Sequence, residues 1–330
     1  IREDPSLPDL LYAGTDCGLF ISLNGGKSWE SFQQNLPVTP VTDIKVYRDD
    51  LVISTMGRGF WVLDNLTPLY ASNFGLQMTQ LFKPKDTYRM KYPKTGGDLY
   101  PRPAMFFDYF IADTVKIPIS LEIENAAGET LNTFVSDKWD VTDTIGNMDL
   151  SSTTYLLDQS LSKSVGFHRF KWDMRHLGPW DVRDRRTYKN GPQVSSGAYR
   201  VKLTVGETVS IQNFTLHTDP RILSSGVTEA EIQKQEELGL KLVKLLTEVR
   251  KYIYGLEQEK KSAKGARLVE IQAQLASFVM EKGIYMQPKI INQIEYLYAS
   301  INGSDQLPSR DAYARFIALK SLVESEKSQN

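Results

Sequence analysis

Cysteine and histidine are scarce in this sequence, with one cysteine and three histidines in 330 residues. With Cys17 alone, no intrachain disulfide can form. Cys17 lies in a turn between Asp16 and Gly18 and reads as incidental, not as a nucleophile. His168, His176 and His217 stand too far apart for a metal-ligand spacing. No run of about 18 apolar residues occurs, so no transmembrane span is expected. Neither sign of charge dominates. Lys and Arg number 39 against 40 Asp and Glu, and the net charge of −1 argues against nucleic acid or an anionic membrane as partner. No P-loop, GxGxxG or Ser-His-Asp arrangement is found, and no cofactor is expected. The chain opens Ile1-Arg2-Glu3-Asp4-Pro5, without Met or signal segment. It reads as a fragment or processed product, with targeting information upstream.

What is present is ordinary globular composition, 41% apolar and 24% charged, over a length suited to two or three domains. Leu10 to Thr15, Gly18 to Ser22 and Trp29 to Phe32 read as strands. Between the last two runs Ser22-Leu23-Asn24-Gly25-Gly26-Lys27-Ser28-Trp29. Gly25 and Gly26 supply the positive φ of a tight hairpin, and the Asn24 side chain can bond backbone two residues on. A second unit follows. Val41 to Val46 alternates in period two, Asp50 to Thr55 repeats Leu10 to Thr15, and Gly57 to Asp64 repeats Gly18 to Ser22. Without gaps, the run from Tyr12 to Ile21 aligns with Ile53 to Val62. A repeat of roughly 40 residues has the length of a propeller blade.

The Ser22–Trp29 stretch resembles an Asp-box, with Asn24 where Asp is usual. Ser22, Asn24, Gly26, Ser28 and Trp29 are its structural positions. Residues 8 to 68 resemble the bacterial BNR-repeat, sortilin-like propellers often labelled glycosyl hydrolases. Thr55 to Asp64 is similar to that family's closing-blade signature. The resemblance implies a sialidase/sortilin-like β-propeller and an extracytoplasmic location, secreted, periplasmic or cell-surface. It does not imply hydrolysis. Two partial blades cannot close a ring, so the expected partners are further N-terminal blades, on the same protein or a separate chain, and a glycan or protein ligand.

A connector and the Pro/Gly-rich run from Pro93 to Pro103 precede a second set of strands. These are 104–111, 115–123, 130–134, 166–172, 197–205 and 209–216, the pattern of a β-sandwich. Leu121 to Gly128, Phe170 to Asp173 and Ser196 to Val201 resemble the FlgD-type Ig-like domain, with Asn125 in place of the turn Asp. Residues 137–165 and 177–194 exceed that family's pattern.

From residue 221 the period changes to helical. Thr228-Glu229-Ala230-Glu231 is a capping box. Apolar stripes follow at Leu238, Leu242, Leu245, Val249 and Ile253, then at Leu268, Ile271, Leu275, Phe278 and Val279. A third comprises Ile291, Ile294, Leu297, Tyr298 and Ile301 after Pro288. The fourth comprises Tyr313, Phe316, Ile317 and Val323 after Ser309. Residues 257–264 read as a charged loop. Short connections point to an antiparallel helical bundle.

Chemistry is harder to place. A guanidinium fork matches a carboxylate bidentately, as in the arginine clamp of sialidase-type sites. Arg58 alone is suitably placed and no Tyr/Glu nucleophile pair accompanies it. A structural arginine bonding blade-edge carbonyls is therefore the stronger reading. Arg58 and Asp64 are the ligand-binding candidates, and no catalytic residue is assigned. Glycoside hydrolysis needs carboxylates about 5–10 Å apart. Asp16, Asp43, Asp49, Asp50 and Asp64 are available, though acids at blade turns equally serve hairpins. Asp137, Asp140 and Asp143 form a DxxDxxD run that could offer oxygen ligands to Ca²⁺. It lacks the DxDxDG spacing, so a solvated acidic loop is preferred and no metal is assigned. Arg183, Arg185, Arg186 and Lys189 are interleaved with Asp181 and Asp184 and read as a solvated loop. Tyr88, Tyr92, Tyr100, Phe106, Phe107, Tyr109 and Phe110 could stack sugars, but Phe106 and Phe110 alternate as sandwich core would.

The expected architecture is β then α. It comprises terminal propeller blades (1–80), an Ig-like β-sandwich (81–220) and a helical bundle (221–330). The expected function is a non-catalytic binding or scaffold protein. The alternatives are a sialidase-like glycosidase with its site on other blades and a cell-surface subunit docking through its helices.

Overall fold

The structure, a computed structural model, describes residues 1–72, 78–91, 103–136, 144–145, 148–149, 161–183, 189–280, 283 and 286–328. It is a mixed β and helical protein with a C-terminal helical region. Two compact units are present. The first holds Ile1–Lys85, Phe107–Val115 and Ser164–Arg169, and the second holds Asp86–Phe106, Lys116–Lys163 and Phe170–Asn330.

The repeat seen in the sequence builds two sheets in the first unit. One has the order Arg2–Glu3, Leu11–Thr15, Gly18–Ser22, Glu30–Ser31, and the other the order Val41–Tyr47, Asp50–Thr55, Gly59–Leu63. All neighbours are antiparallel. Thr15 pairs with Gly18, and Thr55 with Gly59. In both, the threonine hydroxyl donates to that glycine's carbonyl, at 3.1 Å and 2.8 Å respectively. The second turn, Met56-Gly57-Arg58, is one residue longer than Asp16-Cys17. The ungapped alignment therefore holds from Gly18 onward and is one residue out before the turn.

Period-two alternation decides which side of each sheet is buried. Tyr12, Leu19 and Ile21 share a core with Ile44, Leu51, Ile53 and Leu66. Each fully buried aliphatic contributes about 1.5–3 kcal/mol relative to exposure. Gly14 permits the close approach, since a Cβ there would stand 2.7 Å from Val41 Cγ1.

The Ser22–Trp29 hairpin is held by its own side chains. Asn24 Oδ1 accepts from Ser28 N at 2.9 Å, Asn24 Nδ2 donates to Ser28 Oγ at 2.8 Å, and Gly26 N donates to Ser22 Oγ at 2.9 Å. Gly25 and Gly26 have φ of 66° and 85°, as the turn demands. The strand expected over Trp29 to Phe32 is reduced to Glu30–Ser31.

In the second unit a five-stranded sheet has the order Thr130–Val135, Ile119–Asn125, Gly197–Val205, Thr208–Thr218, Thr87–Arg89, the last pair parallel. Ile119, Leu121, Ile123, Val201 and Leu203 line its buried side. Phe170 packs on Phe134 at 4.6 Å between ring centres, and Trp172 meets Phe214 edge-on at 6.3 Å.

Six helices are described: α1 (Thr67–Ser72) in the first unit, and α2 (Pro220–Ser224), α3 (Glu229–Lys260), α4 (Ala266–Phe278), α5 (Ile290–Gly303) and α6 (Arg310–Ser328) in the second. Thr228 and Glu231 cap α3 reciprocally, as the sequence predicts. Leu238, Leu242, Leu245 and Val249 of α3 share a core with Ile294 and Leu297 of α5 and Leu319 and Val323 of α6. Three readings need correction. Helix α3 continues to Lys260, through the start of the expected loop. Ile317 is 62% exposed, because the buried line of α6 runs through Ala312, Leu319 and Val323 and leaves Ile317 off that face. Val279 lies beyond α4 as its C-cap, in extended conformation. Among the described residues no helix is long and apolar enough to cross a membrane.

Candidate functional site

Strand Gly59–Leu63 separates the two ligand-binding candidates of the sequence. Arg58 precedes it in the turn and Asp64 follows it. At about 3.3 Å per strand residue they stand on the order of 15–20 Å apart. No single carboxylate can touch both. The Arg58 side chain is exposed, and its carbonyl accepts from Trp61 Nε1 at 3.1 Å. An arginine that does bond a carbonyl at this strand's end is Arg169, whose Nη2 donates to Asp64 O at 2.8 Å.

Asp64 belongs to a network of charge in the first unit. Arg169 donates to Asp108 through Nε at 2.6 Å and Nη2 at 3.0 Å. Asn65 Nδ2 donates to Asp108 Oδ2 at 2.9 Å, and Asn65 N donates to Asp50 Oδ1 at 2.9 Å. Lys85 pairs with Asp50 Oδ2 at 2.5 Å. Partial burial, and then the charge of Asp50, raise the Asp64 carboxyl above its ordinary value against the pull of Arg169 and Lys85. A raised carboxyl can hold a proton for donation. Both oxygens of Asp50 and of Asp108 are occupied, so neither is poised as a nucleophile. Sequence reasoning missed Lys85, Asp108 and Arg169, which adjoin Asp50 and Asp64 only through the fold.

The histidines fall into separate places. His168 Nε2 lies 2.6 Å from Ser164 O, and His217 is exposed, 4.0 Å from Asp86. His176 bonds Glu236 of α3, whose other oxygen accepts from the Ser195 hydroxyl and, at 3.0 Å, from Ser195 N. A Ser, a His and a carboxylate thus meet in the wrong order for catalysis. The carboxylate sits between the other two, so the imidazole cannot take the serine proton directly. Burial pushes the Glu236 carboxyl up, but hydrogen bonds from His176 and Ser195 outweigh it and hold the group below its ordinary value. The cluster ties His176 and Ser195 to α3.

The same segment is tied down further along. Trp180 N donates to Thr247 Oγ1 at 3.1 Å, and Asp181 takes both Arg183 at 2.8 Å and Arg250 at 3.7 Å. Arg183 therefore bonds within its own loop, with 48% of its side chain exposed. Arg185 and Arg186 lie outside the described residues, as do Tyr92, Tyr100 and the candidate cation ligands Asp137, Asp140 and Asp143. Among the described residues no group of three or more His, Cys, Asp or Glu could hold a metal. Cys17 is exposed. The aromatic parity is the reverse of that expected. Phe107 and Tyr109 are fully buried, while Phe106 and Phe110 are half-buried.

Two further features belong to the second unit. Arg89 is buried with Nε on Val194 O at 2.7 Å and Nη2 on Asp305 at 3.1 Å, while Lys91 shares Asp305 at 3.0 Å. Arg89 Nη1 has no hydrogen-bond partner among the described residues. Burial holds Lys91 below its ordinary value. A cavity of about 370 Å³ is lined by Gln235, Tyr296, Leu307, Pro308, Asp311 and Arg315, among others. No family model, no curated protein and no solved structure matches this chain.

Proposed function

We propose that this chain is a binding or scaffold protein acting outside the cytoplasm. In this reading its repeated sheets belong to a sialidase- or sortilin-like β-propeller that presents a ligand or partner surface. The strands of residues 104–218 form an Ig-like sandwich of the FlgD type, and the helical region supports the assembly. One observation carries the proposal. The second repeat exposes Phe60 at 80%, Val62 at 54% and Tyr47 at 56%, with Arg58 in the adjoining turn and Arg48 5.3 Å from the Tyr47 ring centre. Exposed aromatic and guanidinium groups on the strands and turns of one sheet suit a glycan carboxylate or an acidic protein surface. Binding of the chain to a panel of sialylated and neutral glycans tests this. Retention of an acidic glycan, weakened about tenfold or more by Arg58→Ala, is the expected result. Retention unchanged by that substitution, or none at all, sinks the glycan reading.

The raised Asp64 carboxyl favours a second reading, a glycosidase in which Asp64 serves as general acid. It requires a second carboxylate free to act on the sugar. The bonds that occupy Asp50 and Asp108 weigh against it.

A further inference from the structure

The cavity of the second unit lies where α3, α5 and the start of α6 meet. Its floor is apolar. Leu297 and Ile301 of α5 and Ala312 of α6 are 8%, 7% and 8% exposed and belong to the bundle core. Its walls are held in place. Gln235 of α3, 5% exposed, donates to Ile301 O and Ser304 O. Asp305, the next residue, takes Arg89 at 3.1 Å and Lys91 at 3.0 Å. These bonds fix the link between α5 and α6 in advance, which lowers the ordering cost of binding. The volume of about 370 Å³ falls within the range of small-molecule pockets.

The rim carries two opposite charges that do not meet each other. Asp311 and Arg315 both line the cavity, both are exposed, and they stand one turn apart on α6. At that spacing Cβ atoms are about 5–6 Å apart, and an acid preceding a base is the favoured order for pairing. Further along the same helix Lys320 and Glu324 do pair, at 3.7 Å. Asp311 makes no ion pair among the described residues, and neither does Arg315. Arg315 Nη2 donates instead to Gln293 Oε1 of α5. Its Nε and Nη1 have no partner among the described residues. The cavity thus presents an unpaired carboxylate and an unpaired guanidinium side by side. Apolar surface adjoins them, with Tyr296 77% and Leu307 45% exposed.

We propose that this cavity binds a free α-amino acid with an apolar side chain. Its ammonium group meets Asp311 and its carboxylate meets the Arg315 guanidinium. Its side chain covers Leu307 and the floor at Leu297 and Ile301. The charge pattern selects that class. A simple anion on Arg315 would bring its charge beside Asp311, and a simple cation on Asp311 would bring its charge beside Arg315. Like charges at such short range repel. A free amino acid carries both charges on one carbon, so each finds its opposite across one helical turn. Within a peptide chain the same two groups become a neutral amide or lie apart. The inference is independent of the propeller reading, because every residue it uses lies in the second unit.

Calorimetric titration of the whole 330-residue chain with L-leucine tests the proposal. Saturable binding with a Kd of about 1 mM or tighter is expected. Arg315→Gln and Asp311→Asn should each weaken it about tenfold or more. Both variants should keep the melting temperature, since both residues are exposed. Isocaproate lacks the ammonium group, isopentylamine lacks the carboxylate, and glycine lacks the apolar side chain. Each should bind the unsubstituted chain at least about tenfold more weakly than leucine does. These ligands test the charge pattern without depending on how any variant folds. Absence of saturable leucine binding up to about 10 mM overturns the proposal. So does binding that either substitution leaves unchanged, or an analogue that binds as tightly as leucine. Glycan retention through Arg58 uses none of these residues, so the two readings fail separately.

Discussion

Arg169 grips Asp108 with two nitrogens of its guanidinium, Nε at 2.6 Å and Nη2 at 3.0 Å. Asp108 is 5% exposed. Removing the arginine strands a buried carboxylate, at a cost of about 2–3 kcal/mol. Arg169→Ala should show that loss in urea denaturation. Arg169→Lys should recover less than half of it, because an ammonium cannot make the fork.

Asn24 organises its hairpin as both acceptor and donor, through Ser28 N at 2.9 Å and Ser28 Oγ at 2.8 Å. Asn24→Ala should cost about 1–2 kcal/mol. Asn24→Asp keeps the acceptor and lets the Ser28 hydroxyl donate, so it should be near neutral. The same denaturation series separates the two.

Glu236 gives stability a pH dependence. Its carboxyl is held below its ordinary value in the folded chain, so the unfolded chain takes up its proton at higher pH. The contribution is present above the ordinary carboxylate value and fades as pH falls through the lowered one. Glu236→Gln should cost about 1–3 kcal/mol at pH 7. It should also flatten the fall in stability on the acid side, read from denaturation midpoints between about pH 6 and 3.

A Cβ at Gly191 would stand 1.9 Å from the His176 carbonyl oxygen, an overlap with backbone. Gly191→Ala should cost about 3 kcal/mol or more. Gly255, in α3, has nothing within 4 Å of the same position. Gly255→Ala should instead stabilise by about 0.5–1 kcal/mol. Thermal melts of the two variants should move in opposite directions.

These residues also show what the sequence made legible. The Asn24 turn and the Thr228–Glu231 cap could be read because their partners lie within four positions of one another. The repeat could be read because two short strands and a glycine recur together. The core side of residues 105–111 was hidden, since Met105-Phe106-Phe107 and Tyr109-Phe110-Ile111 are continuously apolar and give no alternation. The charge network was hidden for a different reason. Arg169 lies 61 positions from Asp108 and 105 from Asp64, and Arg89 lies 216 from Asp305. Isolated charges carry no mark of such partners before the chain folds.

The central claim, a binding protein without glycosidase activity, is tested most directly by incubating the 330-residue chain with a panel of aryl glycosides, aryl sialosides included. The account predicts release of aryl alcohol no faster than in buffer. Release above the blank that Asp64→Asn abolishes would contradict it.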